Sequence, residues 1–201
     1  MLKIGLTGSI GSGKSTIAKV FYALGAPIYV SDIEAKKILD FPDIVKTITT
    51  KFDNNLLNEK GLINRQALAS IVFNDPDALR WLNSLIHPRV RTHFQEWVNS
   101  HLSEPYIIQE SAIMFETGFH SFFDKIIVVT CPEEQRFERV KSRDNMSREQ
   151  FQERMENQWS EELKVKKADY IIANDDHSLA LPQVLKLHKE FIKLSAKKNV
   201  V

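Results

Sequence analysis

Short apolar runs alternate along this chain with longer stretches in which apolar residues recur every three or four positions. The first run, Leu2-Lys-Ile-Gly-Leu-Thr7, reads as a strand. Thr16 to Leu24 then sets Ile17, Val20, Phe21 and Leu24 at helical spacing, with Gly25 as its cap. Pro27 to Val30 predicts a second strand, and the same signal returns at Tyr106–Gln109, Ile126–Val129 and Ala168–Ala173. The run Ile126-Ile-Val-Val129 is continuously apolar and β-branched, as a strand buried on both faces should be. Strands separated by helices predict an α/β fold with a parallel sheet. A last helix, Leu179 to Leu194, presents an apolar face through Leu181, Leu185, Phe191 and Ile192.

Two stretches break this rhythm. Between the second and third strands the spacing predicts a helical insertion of about sixty residues. It holds a helix over Pro42–Lys51, turns at Asp53-Asn-Asn and Glu59-Lys-Gly61, and a helix from Arg65 to Phe73 capped by Asn64. Asp75-Pro76 starts another helix, with Leu79, Leu82 and Ile86 on one face. Pro88 is expected to interrupt it before a further helix, Arg89 to His101. After the fourth strand, Pro132 opens a helix over Glu133–Arg143. A break at Asn145-Met-Ser147 follows, then a helix started by Ser147 with Gln150 three residues on. Phe151, Met155 and Trp159 form an apolar stripe on it, the pattern of a core face.

Composition narrows the class. With 201 residues, 43% hydrophobic and 26% charged, the chain suits one α/β domain with insertions. A net charge of +1 points to no nucleic-acid partner and no membrane surface. Cys131 is the sole cysteine, which rules out an internal disulfide and agrees with a reducing compartment; a buried structural thiol is expected there. No apolar stretch approaches a membrane span, and the first strand leaves no room for a signal peptide. The expectation is a cytoplasmic protein with a small-molecule partner, a monomer or weak homo-oligomer. The lysines of the last helix (Lys186, Lys189, Lys193, Lys197, Lys198) fit a solvated helix end.

The chemistry begins at Gly8-Ser-Ile-Gly-Ser-Gly-Lys-Ser15, which matches G-x-x-x-x-G-K-[ST], the phosphate-binding loop. It lies between a strand and a helix, the context the motif requires. Gly8, Gly11 and Gly13 let the main chain approach a ligand closely, so that amide N–H groups converge on an anion at a helix N-terminus. Lys14 is then expected on the β- and γ-phosphates of a nucleoside triphosphate, and Ser15 on Mg²⁺. Asp32 ends the second strand, where α/β sheets do their chemistry; it suits a substrate-facing acid and a helix N-cap equally. His87 beside Pro88 suits a packing or capping role as well as a catalytic one. Arg89 and Arg91 are surface charges or phosphate ligands. Glu110, at the third strand's end, is placed to hold Mg²⁺ through water or to be a solvated loop acid. Ala112, Ile113, Met114 and Phe115 fit core or the apolar wall of a pocket. Arg136, Arg139 and Arg143 recur at helical spacing and share a face. They fit a salt-bridged surface helix, or a mobile lid whose guanidinium groups neutralise charge during phosphoryl transfer. Asn174-Asp-Asp176 follows the fifth strand, where loops often meet a nucleotide base.

Taken together these residues resemble the dephospho-coenzyme A kinase family, nearly end to end. The resemblance rests on Gly5-Leu-Thr-Gly8 with Gly11-Ser-Gly-Lys-Ser-Thr16, Asp32-Ile-Glu-Ala35, His87-Pro88 with Arg91, and Ala112-Ile-Met-Phe-Glu116. It continues through Gln135, Arg139, Arg143, Gln158, Ala168-Asp-Tyr-Ile-Ile and Asn174. It implies a P-loop kinase core with a five-stranded parallel sheet and helices on both faces (1–40, 105–143 and 168–201), a helical substrate domain (41–104) and a helical lid (144–167). It implies that ATP, with Mg²⁺, phosphorylates the 3′-hydroxyl of the ribose of dephospho-coenzyme A. Asp32, Lys14 and Arg139 are then the catalytic residues. Gly11, Ser12, Gly13, Lys14, Ser15, Thr16, Arg139, Arg143 and Asn174 face ATP. Thr7, Gly8, Asp32, His87, Arg91, Ala112, Ile113, Met114 and Glu116 face the acceptor. Two departures stand out: Val30 occupies the first position of the family's frequent Asp-x-Asp, and Ala112-Ile-Met114 stands where Pro-Leu-Leu is common. Another small-molecule kinase, for a nucleoside or nucleotide, is the alternative. A GTP-dependent switch is disfavoured because the chain has no Asn-Lys-x-Asp signature.

Overall fold

A computed structural model describes residues 1–198. In chain order it contains β1 (Leu2–Thr7), α1 (Lys14–Ala23), β2 (Ile28–Val30), α2 (Ser31–Ile38), α3 (Pro42–Phe52), α4 (Arg65–Asn74) and α5 (Pro76–Asn99). Then come β3 (Tyr106–Glu110), β4 (Lys125–Thr130), α6 (Glu133–Asp144), α7 (Arg148–Glu156), α8 (Glu161–Lys166), β5 (Tyr170–Ala173) and α9 (Ala180–Lys198). The chain divides into two compact units: Met1–Val30 together with the chain from His101 onward, and Ser31–Ser100. The last three residues of the predicted 168–201 segment lie outside the described residues.

The first unit is built on a five-stranded parallel sheet of order β2-β3-β1-β4-β5. β1 lies at its centre, with Ile4 and Leu6 fully buried. Strands of this kind need a cover on each face, and the chain supplies it. On one face α1 contributes Ile17 and Phe21, and α9 contributes Val184, Leu187 and Phe191. Four rings meet there: Phe191 lies 6.3 Å from Phe21 and 5.4 Å from both Tyr106 and Tyr170, centre to centre. The Tyr106 hydroxyl ends this cluster in a 2.7 Å hydrogen bond with His188 Nδ1, and burial pushes its pKa well up. A second cluster joins Phe115, Ile126 and Val128 to Trp159 and Val165.

The helix boundaries follow local chemistry. α1 ends in paired bonds, Gly25 N–H to Tyr22 O at 2.9 Å and Ala26 N–H to Phe21 O at 3.1 Å, with Gly25 at φ +93°. This is the six-to-one and five-to-two closure that a glycine one residue past the cap permits. α7 opens with a reciprocal box between Ser147 and Gln150.

In the second unit, Asn64 caps α4 and Asp75 caps α5, each through its side-chain oxygen. α5 packs against both α2 and α4.

Three sequence expectations need correction. α5 runs unbroken through Pro88. An internal proline costs about 3 kcal/mol, but Ala78, Ile86, Val90, Phe94 and Val98 are all buried along this helix, and that burial outweighs one lost ladder bond. Asp32 is not an N-cap, because α2 already begins at Ser31; it sits in the first helical turn, where a carboxylate favours the dipole. The buried face of α9 is Val184, Leu187, Phe191 and Ser195, whereas Leu181, Leu185 and Ile192 are exposed.

That last correction yields a prediction. Phe191→Ala should destabilise the protein by about 3–5 kcal/mol, whereas Ile192→Ala, at a residue 42% exposed, should change stability by less than about 1 kcal/mol. Urea midpoints for the two variants would check this; comparable losses would contradict the assigned face.

Candidate functional site

The loop between β1 and α1 folds as its glycines dictate. Gly11 (φ +77°) and Gly13 (φ +90°) occupy left-handed backbone. A Cβ on Gly11 would press on the Arg136 carbonyl, and one on Gly13 would strike the Asn174 side-chain amide. Gly8 lies against the Val129 carbonyl. Parts of the chain far apart in sequence therefore close around the loop, in contact with its bare main chain.

The loop's own bonding leaves donors to spare. Ser12 N–H donates to Ser9 O at 3.1 Å, and the Thr16 and Ile17 amides both donate to Gly13 O. Ile10 N–H donates to Gln158 Oε1 at 3.1 Å. The amides of Gly11, Gly13 and Ser15 have no hydrogen-bond partner among the described residues. Lys14 is only 8% exposed, and its ammonium donates to Ser9 O at 3.2 Å, so it spans the loop. The Ser12 and Thr7 hydroxyl oxygens are buried with no hydrogen-bond partner among the described residues. Ser15 and Thr16 are exposed. Unpaired amides, buried hydroxyls and one ammonium at a helix N-terminus make an anion site. Oxygen donors at Ser15 and at buried Glu110 are the hard ligands that suit Mg²⁺.

One wall of the loop is fixed by Asn174 and Arg139. Asn174 Nδ2 donates to Ser12 O at 2.8 Å, its own amide donates to Thr130 O at 2.9 Å, and its carbonyl accepts from Arg139 Nη1 at 3.0 Å. Arg139 also lies 3.8 Å from Asp176. The three arginines of α6 share one arc of the helix but not one environment. Arg136 is 5% exposed and turned inward: its Nε donates to Cys131 O at 3.0 Å, and its guanidinium lies by Met155 and Phe151. Arg143 is exposed and doubly bonded to Asp144 at 2.8 and 2.7 Å. Their partners separate them: Arg136 is drawn inward to the Cys131 carbonyl, and Arg139 to the carbonyl of Asn174 beside the loop.

Beside the loop lies a cavity of about 380 Å³, bordered by Ser9, Cys131, Arg136, Gln158, Trp159 and Glu161. Burial pushes the Glu161 carboxyl and the Cys131 thiol above their ordinary values, which makes Cys131 a poor nucleophile. Beyond β3, Met114 and Phe115 are core residues, with the Met114 sulfur over Gly5, while Ala112 and Ile113 are half-buried. Glu116 accepts from Trp159 N–H at 2.7 Å and pairs with Lys164 at 3.0 Å. Sequence reasoning missed Lys164. A lysine two residues before Lys166 and Lys167 looks like part of a solvated run, and only its complete burial distinguishes it.

In the second unit Asp32 is exposed on the first turn of α2. His87 and Arg91 stand one turn apart on α5, with His87 half-buried and Arg91 exposed. Burial first, and then the Arg91 charge, hold the His87 pKa below 6.5. On the same unit Glu34 of α2 pairs with Lys37 at 2.8 Å and lies 3.9 Å from His93 of α5.

Known proteins resemble this chain along most of its length. The family model "CoaE: Dephospho-CoA kinase" matches residues 2–180. The dephospho-CoA kinase of Bacteroides fragilis is 37% identical over 186 residues, 92% of this chain and 91% of that protein. That of Porphyromonas gingivalis is 38% identical over 188 residues, 93% of each. The solved dephospho-CoA kinase from Campylobacter jejuni superposes with a TM-score of 0.72 at 32% identity, covering 95% of this chain and 97% of its own.

The environment of His87 fixes its titration. Its midpoint in a proton-resonance titration should fall below 6.5, and Arg91→Gln should raise it while leaving it depressed, since burial is the larger cause. A lowered histidine pKa means that the unfolded chain binds more protons just below pH 6.5, so the fold loses stability as pH falls through that value. A midpoint above 6.5 would contradict the burial seen here.

Proposed function

We propose how this chain, which belongs to the dephospho-CoA kinase family, carries out its reaction with the residues described above. It is an ATP-dependent kinase that phosphorylates the 3′-hydroxyl of the ribose of dephospho-CoA to give CoA. The observation that carries the reading is the loop itself: unpaired amides, a buried orphan hydroxyl on Ser12 and the Lys14 ammonium gathered at the start of α1.

In this reading the loop from Gly11 to Thr16 grips the triphosphate. Its amides bind the phosphate oxygens, and Lys14 neutralises charge on the β- and γ-phosphates. Arg139 and Asn174 border the nucleotide, and Arg143 adds charge at the outer end of α6. Mg²⁺ supplies further charge neutralisation when bound, held by Ser15 and, through water, by Glu110. Acceptor binding is assigned to Thr7, Gly8 and the Ala112–Glu116 segment of the first unit, and to His87 and Arg91 of the second. Val30 leaves Asp32 as the one acid of the family's Asp-x-Asp pair. Asp32 orients the ribose hydroxyl and accepts its proton late, because phosphoryl transfer has a loose transition state and orientation contributes more than basicity. A neutral His87 can accept a hydrogen bond from the acceptor at pH 7, as a protonated ring cannot.

The helical segment 41–104 is then the acceptor domain and 144–167 the lid, with the rest as nucleotide-binding core. A buried lone thiol suits a reducing cytoplasm. Among the described residues no helix is long and apolar enough to cross a membrane.

The roles separate by substitution. Asp32→Asn should lower kcat by about a hundredfold or more while the Kd for ATP changes by less than about threefold. Equal losses in both would remove Asp32 from the transfer step. Lys14→Ala should weaken ATP binding and lower turnover, each by about tenfold or more. Coupled assay of CoA formation with calorimetric ATP titration measures both, and an unaltered rate would exclude Lys14.

A further inference from the structure

Lys164 on α8 carries no exposed surface at all. Burying an ammonium is costly unless every lobe of charge finds an acceptor. Here it donates to Ala112 O at 3.1 Å and pairs with Glu116 Oε1 at 3.0 Å. The same carboxylate oxygen takes the Trp159 N–H at 2.7 Å, and the Trp159 ring stacks on Phe115 at 5.7 Å and 8°. Ala112 to Glu116 forms neither helix nor strand; turn bonds engage the carbonyls of Ile113, Met114 and Phe115, and none of them engages that of Ala112. Packing alone would be served better by Leu or Met. What Lys164 adds is a donor aimed at one carbonyl of an irregular segment, locked by a carboxylate from the other end of that segment.

We propose that Lys164 is a positioning residue for acceptor binding, and that Glu116 acts through it by fixing the shape of the Ala112–Glu116 wall. This rests on the reading above that the wall borders the acceptor. With the ammonium in place, Ala112 and Ile113 are held in one conformation before substrate arrives, and the ordering cost is not charged to binding. Without it, the Ala112 carbonyl loses its donor and the Glu116 carboxylate loses its cation, keeping only the Trp159 N–H, and the segment is free to rearrange. Nucleotide binding at the loop draws on none of these groups.

The test uses the intact enzyme, with wild-type turnover of dephospho-CoA and ATP as reference; failure of that reference would count against the function, not against this proposal. Ile113→Ala tests the wall alone and should raise the KM for dephospho-CoA. Lys164→Met should raise it by about tenfold, with the KM for ATP within about twofold. Lys164→Arg, which keeps a buried donor and charge, should restore most of the loss. Adding Glu116→Gln to Lys164→Met should cost little more, since both act through one contact. Should the Met variant not fold, Lys164→Gln, which removes the charge, takes its place in the same cycle with Glu116→Gln, and their effects on the acceptor KM should again fall short of additive. The proposal is overturned if Ile113→Ala raises the acceptor KM and folded Lys164→Met does not. It is overturned equally if Lys164→Met moves both KM values alike, or if the Glu116 effect adds in full. If Ile113→Ala and Lys164→Met both leave the acceptor KM unchanged, the wall itself is misassigned and this inference falls with it.

Discussion

The first unit depends on how closely main chain approaches main chain around the phosphate loop. The bare backbone at Gly11 receives the Arg136 carbonyl, and Gly13 receives the side-chain amide of Asn174. These contacts are short because nothing projects from the loop. They draw β4, α6 and the segment after β5 onto one concavity whose N–H groups face inward. The concavity is thus already formed, and a triphosphate meets dipoles that need no reorientation. The same economy explains why Asn174 serves twice, donating to Ser12 O and accepting from Arg139.

What could be seen in the sequence was what local chemistry decides. The strands, the loop and the caps at Asn64, Asp75 and Ser147 depend on neighbours within a few residues, so periodicity and capping rules found them. Where distant partners decide, those rules failed. Pro88 should have ended a helix, yet burial on either side carried α5 through it. The α9 stripe misled because Leu181, Leu185, Phe191 and Ile192 are all apolar, and periodicity alone does not tell which arc meets the sheet. Arg136 and Lys164 are the plainest cases. A charged residue among charged residues looks solvated until its partners, Cys131 O for one and Glu116 for the other, are brought to it by the fold.

These two inward-facing cations also show how the region beyond α6 is held. Its packing comes partly from rings, Phe137 and Phe151 and then Phe115 and Trp159, and partly from charges that have left water. Arg148 adds a guanidinium 4.6 Å from the Phe137 ring centre and reaches Glu134. A buried ammonium tolerates few alternative packings, because any other arrangement leaves it without acceptors. Rings can slide over one another; Lys164 confines the arrangement to one.

The sheet has a further property in its proportions. Its central strand spans six residues, while the outermost two span three and four, β2 and β5. A strand that short gives another molecule room for only one or two backbone pairings. Parallel sheets assemble slowly and are vulnerable to mispairing while incomplete. Tapered margins of this kind discourage sheet-to-sheet polymerisation between neighbouring copies.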